Sequence, residues 1–286
     1  MLKKRDKSSA KENKPMEGDL TMQTSSLRHT VIFLALTTLA IGVLLIGGCS
    51  KKQSQEQADQ KAMTQSEGET LTSQLQNHNA EWLKNAPQAT VSAFEEGVKE
   101  IKESGILEQA IHEGQMAPDF SLPDIKGDTV RLSDLLKSGP VVIIWYRGGW
   151  CPYCNLQLRA MTKVAPQIKS LGATLLAISP QLPDSSISTA EKDTLNFTVL
   201  SDVGNRVASE YKIVYTIPEV MLEKLQGHLD LAGYNGSDST QLPLAVTYIV
   251  DTTGTVRYAF LSADYRVRAE PSVIVSELQK LEKPAM

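Results

Sequence analysis

Two cysteines three residues apart, Cys151 and Cys154, stand in the stretch WYRGGWCPYCNLQLR, Trp145 to Arg159. Such a pair can be a packing detail, half of a metal clip or a redox centre. A zinc clip needs a second pair of Cys or His ligands. The chain has 3 Cys and 4 His. The remaining cysteine is the distant Cys49, and the histidines are scattered at His29, His78, His112 and His228. Neither a metal site nor a disulfide-rich scaffold follows from that inventory. The reading therefore carries no metal and no cofactor. A buried structural disulfide stays open, but CxxC at a helix start in a parallel-sheet protein is more often catalytic.

Thiol chemistry runs through the thiolate, so the question is what lowers the proton affinity of one sulfur. A free thiol with a pKa of about 8.5 is only roughly 3% ionised at neutral pH. A value near 6 would ionise about 90% of it, which takes about 3.4 kcal/mol in favour of the anion. The local sequence offers two sources. The turn RGGW leads to Pro152, a residue suited to the first helical position, which makes Cys151 the expected N-cap at the positive end of a helix dipole. That dipole contributes about 0.3–2 kcal/mol, so a cation is also needed. Arg147 is the nearest in sequence, and Arg159 is a weaker candidate whose simpler reading is a solvated surface charge. Cys154 lies one helical turn beyond Cys151, close enough for the sulfurs to bridge. Helix position favours Cys151 as the attacking sulfur and Cys154 as the resolving one.

The elements that must position this pair alternate. Apolar runs VVIIWY, ATLLAIS and FTVLSD read as strands. The helical stretches NLQLRAMTKVAPQIKSLG, SSISTAEKDTL and NRVASEYKI follow them in turn. Continuous apolar strands joined by helices imply a mainly parallel sheet covered on both faces. Near the end, LAVTYIV and TVRYAF flank DTTG, a hairpin with a glycine turn, and EPSVIVSELQKLE is a final helix beginning at Pro271. Between Leu71 and His112 apolar residues recur at helical spacing, and Pro87 splits that region into two packing helices.

At 286 residues, 41% hydrophobic and 22% charged, the chain has the composition of an ordinary globular protein. Its formal charge of −4, without a basic stripe, argues against nucleic acid as a partner. The first fifty residues concern address. An uncharged apolar run from Val31 ends in LIGGCS, at the margin of the about 20 residues that span a bilayer. Small residues before Cys49 suit a cleavage site, while an uncleaved signal anchor is the alternative. LIGGCS resembles the lipobox of bacterial lipoproteins, which implies a lipid on Cys49 and a place in the bacterial cell envelope. The domain would then face the periplasm or the exterior, held by an N-terminal lipid or signal anchor. Met22 is a second possible start, leaving MQTSSLRHT with Arg28 as a usual n-region. The Gln-rich stretch after Cys49 is too polar to bury its own surface and reads as a tether. The resulting division is residues 1–48 for targeting, 49–70 for the tether, 71–112 for flanking helices and 113–286 for the main domain.

A βαβ unit with a cysteine pair at the strand-to-helix junction, followed by an antiparallel hairpin, resembles the thioredoxin fold. MAPDFSLPDIKGDTVRLSDLL, the WYRGGWCPYCNLQLR stretch with AISPQLPDSSISTAEK, and TVLSDVGNRVASEY resemble the peroxiredoxin branch, the alkyl-hydroperoxide-reductase/thiol-specific-antioxidant proteins. The WYRGGWCPYCNLQLR and AISPQLPDSSISTAEK stretches resemble a bacterial CxxC-containing group of that branch, and the family resemblance covers about Glu113 to Glu282. The expected fold is thus α/β and thioredoxin-like: a mainly parallel central sheet flanked by helices, with a C-terminal antiparallel hairpin. The resemblance implies a peroxide substrate and a thioredoxin-like reductant. It also implies a Pro-x-x-x-Thr/Ser-x-x-Cys loop, which this chain does not carry. Registered on Cys154, the hydroxyl position is Cys151 and the proline position Arg147; registered on Cys151, they are Gly148 and Ile144. The position of the thioredoxin cis-proline, where peroxiredoxins often carry an arginine, falls on Ala245, with Pro243 two residues early.

Three readings stay open: a thiol peroxidase, a membrane-tethered thiol–disulfide oxidoreductase acting on proteins, and a non-catalytic envelope module. The insert from Tyr215 to Leu242 favours the first, because a minimal disulfide reductase has no need of it. For the address, Cys49→Ala should abolish acyl labelling and leave a larger, unprocessed precursor on a gel. Unchanged size and labelling would refute the lipid assignment.

Overall fold

A computed structural model describes residues 69–282. Cys49, Met22 and the whole targeting segment lie outside the described residues, as does nearly all of the tether. Among the described residues no helix is long and apolar enough to cross a membrane.

The first elements are two helices, α1 (Leu71–Asn85) and α2 (Gln88–Glu103), separated at Pro87 as its fixed φ and missing N–H require. A short α3 (Ile106–Gln109) and an antiparallel hairpin of β1 (Ser121–Pro123) and β2 (Thr129–Arg131) follow, then the one-turn α4 (Leu132–Leu135). The central unit runs β3 (Val141–Trp145), α5 (Pro152–Ser170), β4 (Thr174–Ser179), α6 (Pro183–Lys192), β5 (Thr198–Ser201) and α7 (Arg206–Glu210).

The insert expected between Tyr215 and Leu242 closes on itself. Its ends are β6 (Val214–Thr216) and β7 (Gln241–Pro243), paired Tyr215 to Leu242, and they enclose α8 (Glu219–Leu225) and α9 (Leu231–Asn235). The C-terminal hairpin of β8 (Thr247–Val250) and β9 (Val256–Phe260) and the last helix, α10 (Pro271–Glu282), complete the chain. Gly254, at φ 83°, supplies the left-handed residue of the hairpin turn.

The main sheet has the order β5-β4-β3-β8-β9. Its β5-β4-β3 half is parallel, and the β3-β8-β9 half is antiparallel. This is the thioredoxin-like α/β arrangement. The direction changes at β3, and ligands of open α/β sheets gather beyond the carboxyl ends of strands at such a switch point. The cysteine pair lies there.

Strand β3 shows why the sheet is so apolar: every residue from Val141 to Trp145 is buried. Alternation sends Val141, Ile143 and Trp145 to one face and Val142 and Ile144 to the other. The first face carries Trp145, Tyr211 and Tyr248 in mutual aromatic contact, together with Leu71, Leu75, Phe94 and Ile101 from α1 and α2. The second is covered by Met161 and Ile168 of α5 and by Ile274 and Leu278 of α10. Helices α1 and α2 thus share the core of the domain they flank. Ile144→Ala should cost about 2–5 kcal/mol by leaving a cavity between the sheet and α5, with urea unfolding moving to a lower midpoint at unchanged slope.

Candidate active site

Strand β3 and Tyr146 deliver the chain to Arg147, and two glycines turn it into α5. Gly148 and Gly149 are required by space: a Cβ on the first would run into the Trp150 indole, and one on the second into the Thr189 side chain. The Gln181 side chain accepts a hydrogen bond from Gly149 N at 2.8 Å, and Asn155 donates to Gly149 O at 2.9 Å, fixing the turn from both sides. Cys151 is the N-cap of α5 and Pro152 its first residue, as the sequence implies. One detail differs: the Cys151 sulfur accepts no capping hydrogen bond from the helix N–H groups.

Cations take that role instead. Nη1 of Arg147 lies 3.9 Å from the Cys151 sulfur, and Nη2 of Arg268 lies 3.4 Å from the Cys154 sulfur. Both arginines are almost fully buried, at 3% and 4% exposure. Arg147 is stacked between aromatic faces, its guanidinium 4.8 Å from the Trp150 ring centre and 4.3 Å from that of Tyr265. Arg268 donates through Nη1 to the carbonyls of Tyr265 and Val267, which aims its other nitrogen at Cys154. Arg159 pairs at 2.7 Å with the buried Asp193, so it is an ion-pair partner and not the solvated charge of its simpler reading.

The two sulfurs are unbridged and buried, at 1% exposure for Cys151 and none for Cys154. They titrate as a pair. Burial opposes ionisation of Cys154, but the hydrogen bond from Cys151 and the charges of Arg268 and Arg147 outweigh it and hold it at about 5. Burial and the neighbouring Cys154 push Cys151 well above the ordinary thiol range, against the pull of Arg147 and Arg268. At neutral pH the pair therefore carries one proton and one negative charge. Magnitudes name the cause. A cation about 4 Å away contributes about 4 kcal/mol at an effective dielectric near 20, against about 0.3–2 kcal/mol for a helix dipole. The hydrogen bond from Cys151 and the two guanidiniums together hold the charge on Cys154.

A cavity of about 560 Å³ opens at Cys151, lined there by Arg147, Trp150, Pro152 and Tyr153. His78 and Trp82 of α1, Phe94 of α2 and Tyr265 form its far wall, and the insert closes it with Leu225, His228, Leu229, Asp230 and Tyr234. The structure thus brings together Cys151, Cys154 and Arg147, all three named from sequence. Arg268 and Tyr265 were not named. They lie more than a hundred residues from the pair in a segment with no motif, and their only signal was an arginine in an apolar neighbourhood. Pro243, the misplaced proline, is a strand residue paired with Val214 in the insert's hairpin.

A buried, arginine-flanked CxxC thus lies at the switch point of a thioredoxin-like sheet. Residues 113–259 match the AhpC/TSA family, and the chain belongs to it. Peroxiredoxin Bcp of Escherichia coli is 34% identical over 100 residues, which are 35% of this chain and 64% of that protein. The chain thus spans less than two thirds of that relative. The chloroplastic Peroxiredoxin Q of Populus jackii is 30% identical over 171 residues, 60% of this chain and 68% of the relative. Among solved structures, Peroxidoxin BcpB from Mycobacterium tuberculosis superposes with a TM-score of 0.48 at 22% identity, covering 60% of this chain and 99% of that one. Arg268 and helices α1 and α2 fall outside the family match.

Arg268→Gln should move the first ionisation of the pair upward from about 5, because the variant loses the cation nearest Cys154. The thiolate absorbance near 240 nm, followed against pH, would then rise at higher pH than in the parent. An unmoved midpoint would show that Arg147 alone sets the charge.

Proposed function

We propose that the protein is a thiol peroxidase that reduces hydrogen peroxide or organic hydroperoxides through Cys151 and Cys154 and is recycled by a thioredoxin-like dithiol donor. The observation that carries this reading is the meeting of three things at one point. Cys151 lines a cavity, a buried guanidinium flanks it, and the sulfur beside it is held as a thiolate.

The steps balance as follows. The Cys154 thiolate takes the proton of the Cys151 thiol hydrogen-bonded to it. The Cys151 thiolate attacks the near oxygen of the peroxide, the O–O bond breaks, and Cys151 becomes a sulfenic acid. The departing alkoxide or hydroxide takes a proton and leaves as alcohol or water; Arg147 faces the charge that develops on it. The Cys154 thiol then attacks the sulfenic sulfur, a disulfide forms and water leaves. The pair has lost two electrons and the peroxide has gained them. A dithiol donor returns them by exchange. The apolar walls keep bulk water from the sulfurs, which strengthens each electrostatic contact.

The second reading, a thiol–disulfide oxidoreductase acting on proteins, is disfavoured by helix α1. It covers Tyr153 inside the CPYC motif, where a protein disulfide would have to lie. A lipid on Cys49, outside the described residues, remains part of the proposal and would place this chemistry at the cell envelope.

One equivalent of hydrogen peroxide with dimedone trapping tests the assignment. Cys154→Ser should give one trapped sulfenic acid on Cys151, formed more slowly than in the parent, and Cys151→Ser should give none. Sulfenic acid on Cys154 in the Cys151→Ser variant would reverse the roles. Inertness of both variants and of the parent would end the peroxidase reading.

A further inference from the structure

The cavity at Cys151 is far larger than hydrogen peroxide needs. A water molecule accounts for about 30 Å³ of liquid, and hydrogen peroxide adds one oxygen to that. The cavity holds about 560 Å³, and its lining is mostly apolar. A cavity of about 300–1,000 Å³ with apolar walls and a few fixed polar groups is the usual form of a small-molecule site. Here the polar group beside the Cys151 sulfur is the guanidinium of Arg147, 3.9 Å away.

Two walls lead away from that sulfur. One is a continuous run of rings. The Tyr265 ring centre lies 4.3 Å from the Arg147 guanidinium, 5.5 Å from the Tyr153 ring centre and 6.3 Å from that of Phe94. Phe94 in turn meets Trp82 at 5.8 Å. The other wall is the insert, with Leu225 at the end of α8 and Leu229 just after the turn at Gly227. His228 N and Leu229 N both donate to Leu225 O, at 3.0 and 3.1 Å, so the backbone of that turn fixes itself. The walls are also tied to each other. Helix α2 has no side chain at Gly97, where Met221 of α8 fills the space a Cβ would take. Tyr234 O accepts from Leu182 N at 2.9 Å, which ties α9 to the start of α6. A preformed apolar cavity takes an apolar group without the cost of ordering its own walls.

We propose that this cavity binds the organic group of a hydroperoxide, so that the site selects peroxides with a bulky apolar substituent over hydrogen peroxide. Trp82, Phe94, Leu225 and Leu229 are then the specificity-determining residues. This rests on the reading of Cys151 as the sulfur that meets the peroxide. The Cys151 thiolate bonds to the terminal oxygen, the O–O bond breaks, and the oxygen bearing the organic group leaves with the bonding pair. Arg147 faces the charge on that oxygen, and a proton from solvent completes the alcohol. The substituent points away from the attacked oxygen, into the space between the rings and the insert. Hydrogen peroxide has nothing to put there. Trp82 and Phe94 lie outside residues 113–259, so the family match does not account for the wall they build.

Single-turnover oxidation of the reduced full chain tests this, followed by loss of free thiols with cumene hydroperoxide or hydrogen peroxide at equal concentration. The second-order rate constant for cumene hydroperoxide should be higher by a factor of about ten or more, since burying about two methylene-sized groups suffices for that. Leu229→Glu, a change at a half-buried turn residue, should bring the two constants close to each other. Equal constants in the parent, or an undiminished ratio in the variant, overturn the proposal. A second measurement needs no peroxide. The alcohol product, 2-phenyl-2-propanol, should bind the reduced protein saturably and change its tryptophan fluorescence, because Trp82 and Trp150 line the cavity. Leu229→Glu should weaken that binding several-fold. No saturable change, or one that the variant leaves intact, also overturns it. If the alcohol binds and neither hydroperoxide oxidises the pair, the cavity keeps its apolar ligand and only the peroxidase reading falls.

Discussion

A single negative charge shared by two buried sulfurs, held between two buried guanidiniums, is the interaction on which the rest of this structure depends. Neither charge is tolerable alone in that interior. Together they fix which protonation state the pair adopts, and they oblige the fold to bring three chain segments to one point. The turn after β3 contributes Arg147, the start of α5 contributes both cysteines, and the segment after β9 contributes Arg268. The aromatic rings on either side of Arg147 serve the same end, because they offer a cation a favourable surface while excluding water.

The site is therefore a composite of family core and additions. The AhpC/TSA match covers the sheet, the cysteine pair and Arg147. Part of the cavity wall comes from outside that match. Helices α1 and α2 supply His78, Trp82 and Phe94, and the segment after β9 supplies Tyr265. The insert within the matched region, closed by its own β6–β7 pairing, supplies Leu225, Leu229 and Tyr234. A bare thioredoxin-like core would expose the CPYC turn to any passing disulfide. The additions wall that turn into a pocket.

The departures from the peroxiredoxin loop pattern acquire a physical sense from this geometry. In the register of Cys154, the positions of the missing hydroxyl and proline hold Cys151 and Arg147. Those two side chains lie within 3.9 Å of each other. In that register the Cys151 thiol stands where a hydroxyl hydrogen bond to the Cys154 sulfur is expected, and a cation stands at the start of the loop. The polar partners of the thiolate are present, carried by different residue types.

Much of the fold was legible in the sequence, for reasons that are local. Apolar runs of strand length, the Gly-Gly turn into Pro152, the Pro87 break, the glycine of the β8–β9 turn and Pro271 at the start of α10 act through backbone dihedrals and periodicity within a few residues. They give the order and type of the elements, and with them Cys151 at a helix N-cap and Arg147 beside it. The sequence also placed the thiolate on Cys151 at the helix N-cap and asked for a cation such as Arg147 beside it, whereas burial raises the Cys151 thiol and the Cys154 thiol beside Arg268 is the one held low. Arg268 and Tyr265 became part of the site only when β8 and β9 folded back beside β3 and the following segment came up against the start of α5. Charge acts through space and across low-dielectric protein, so the partner of a buried anion is chosen by tertiary packing, and no local pattern marks it in advance.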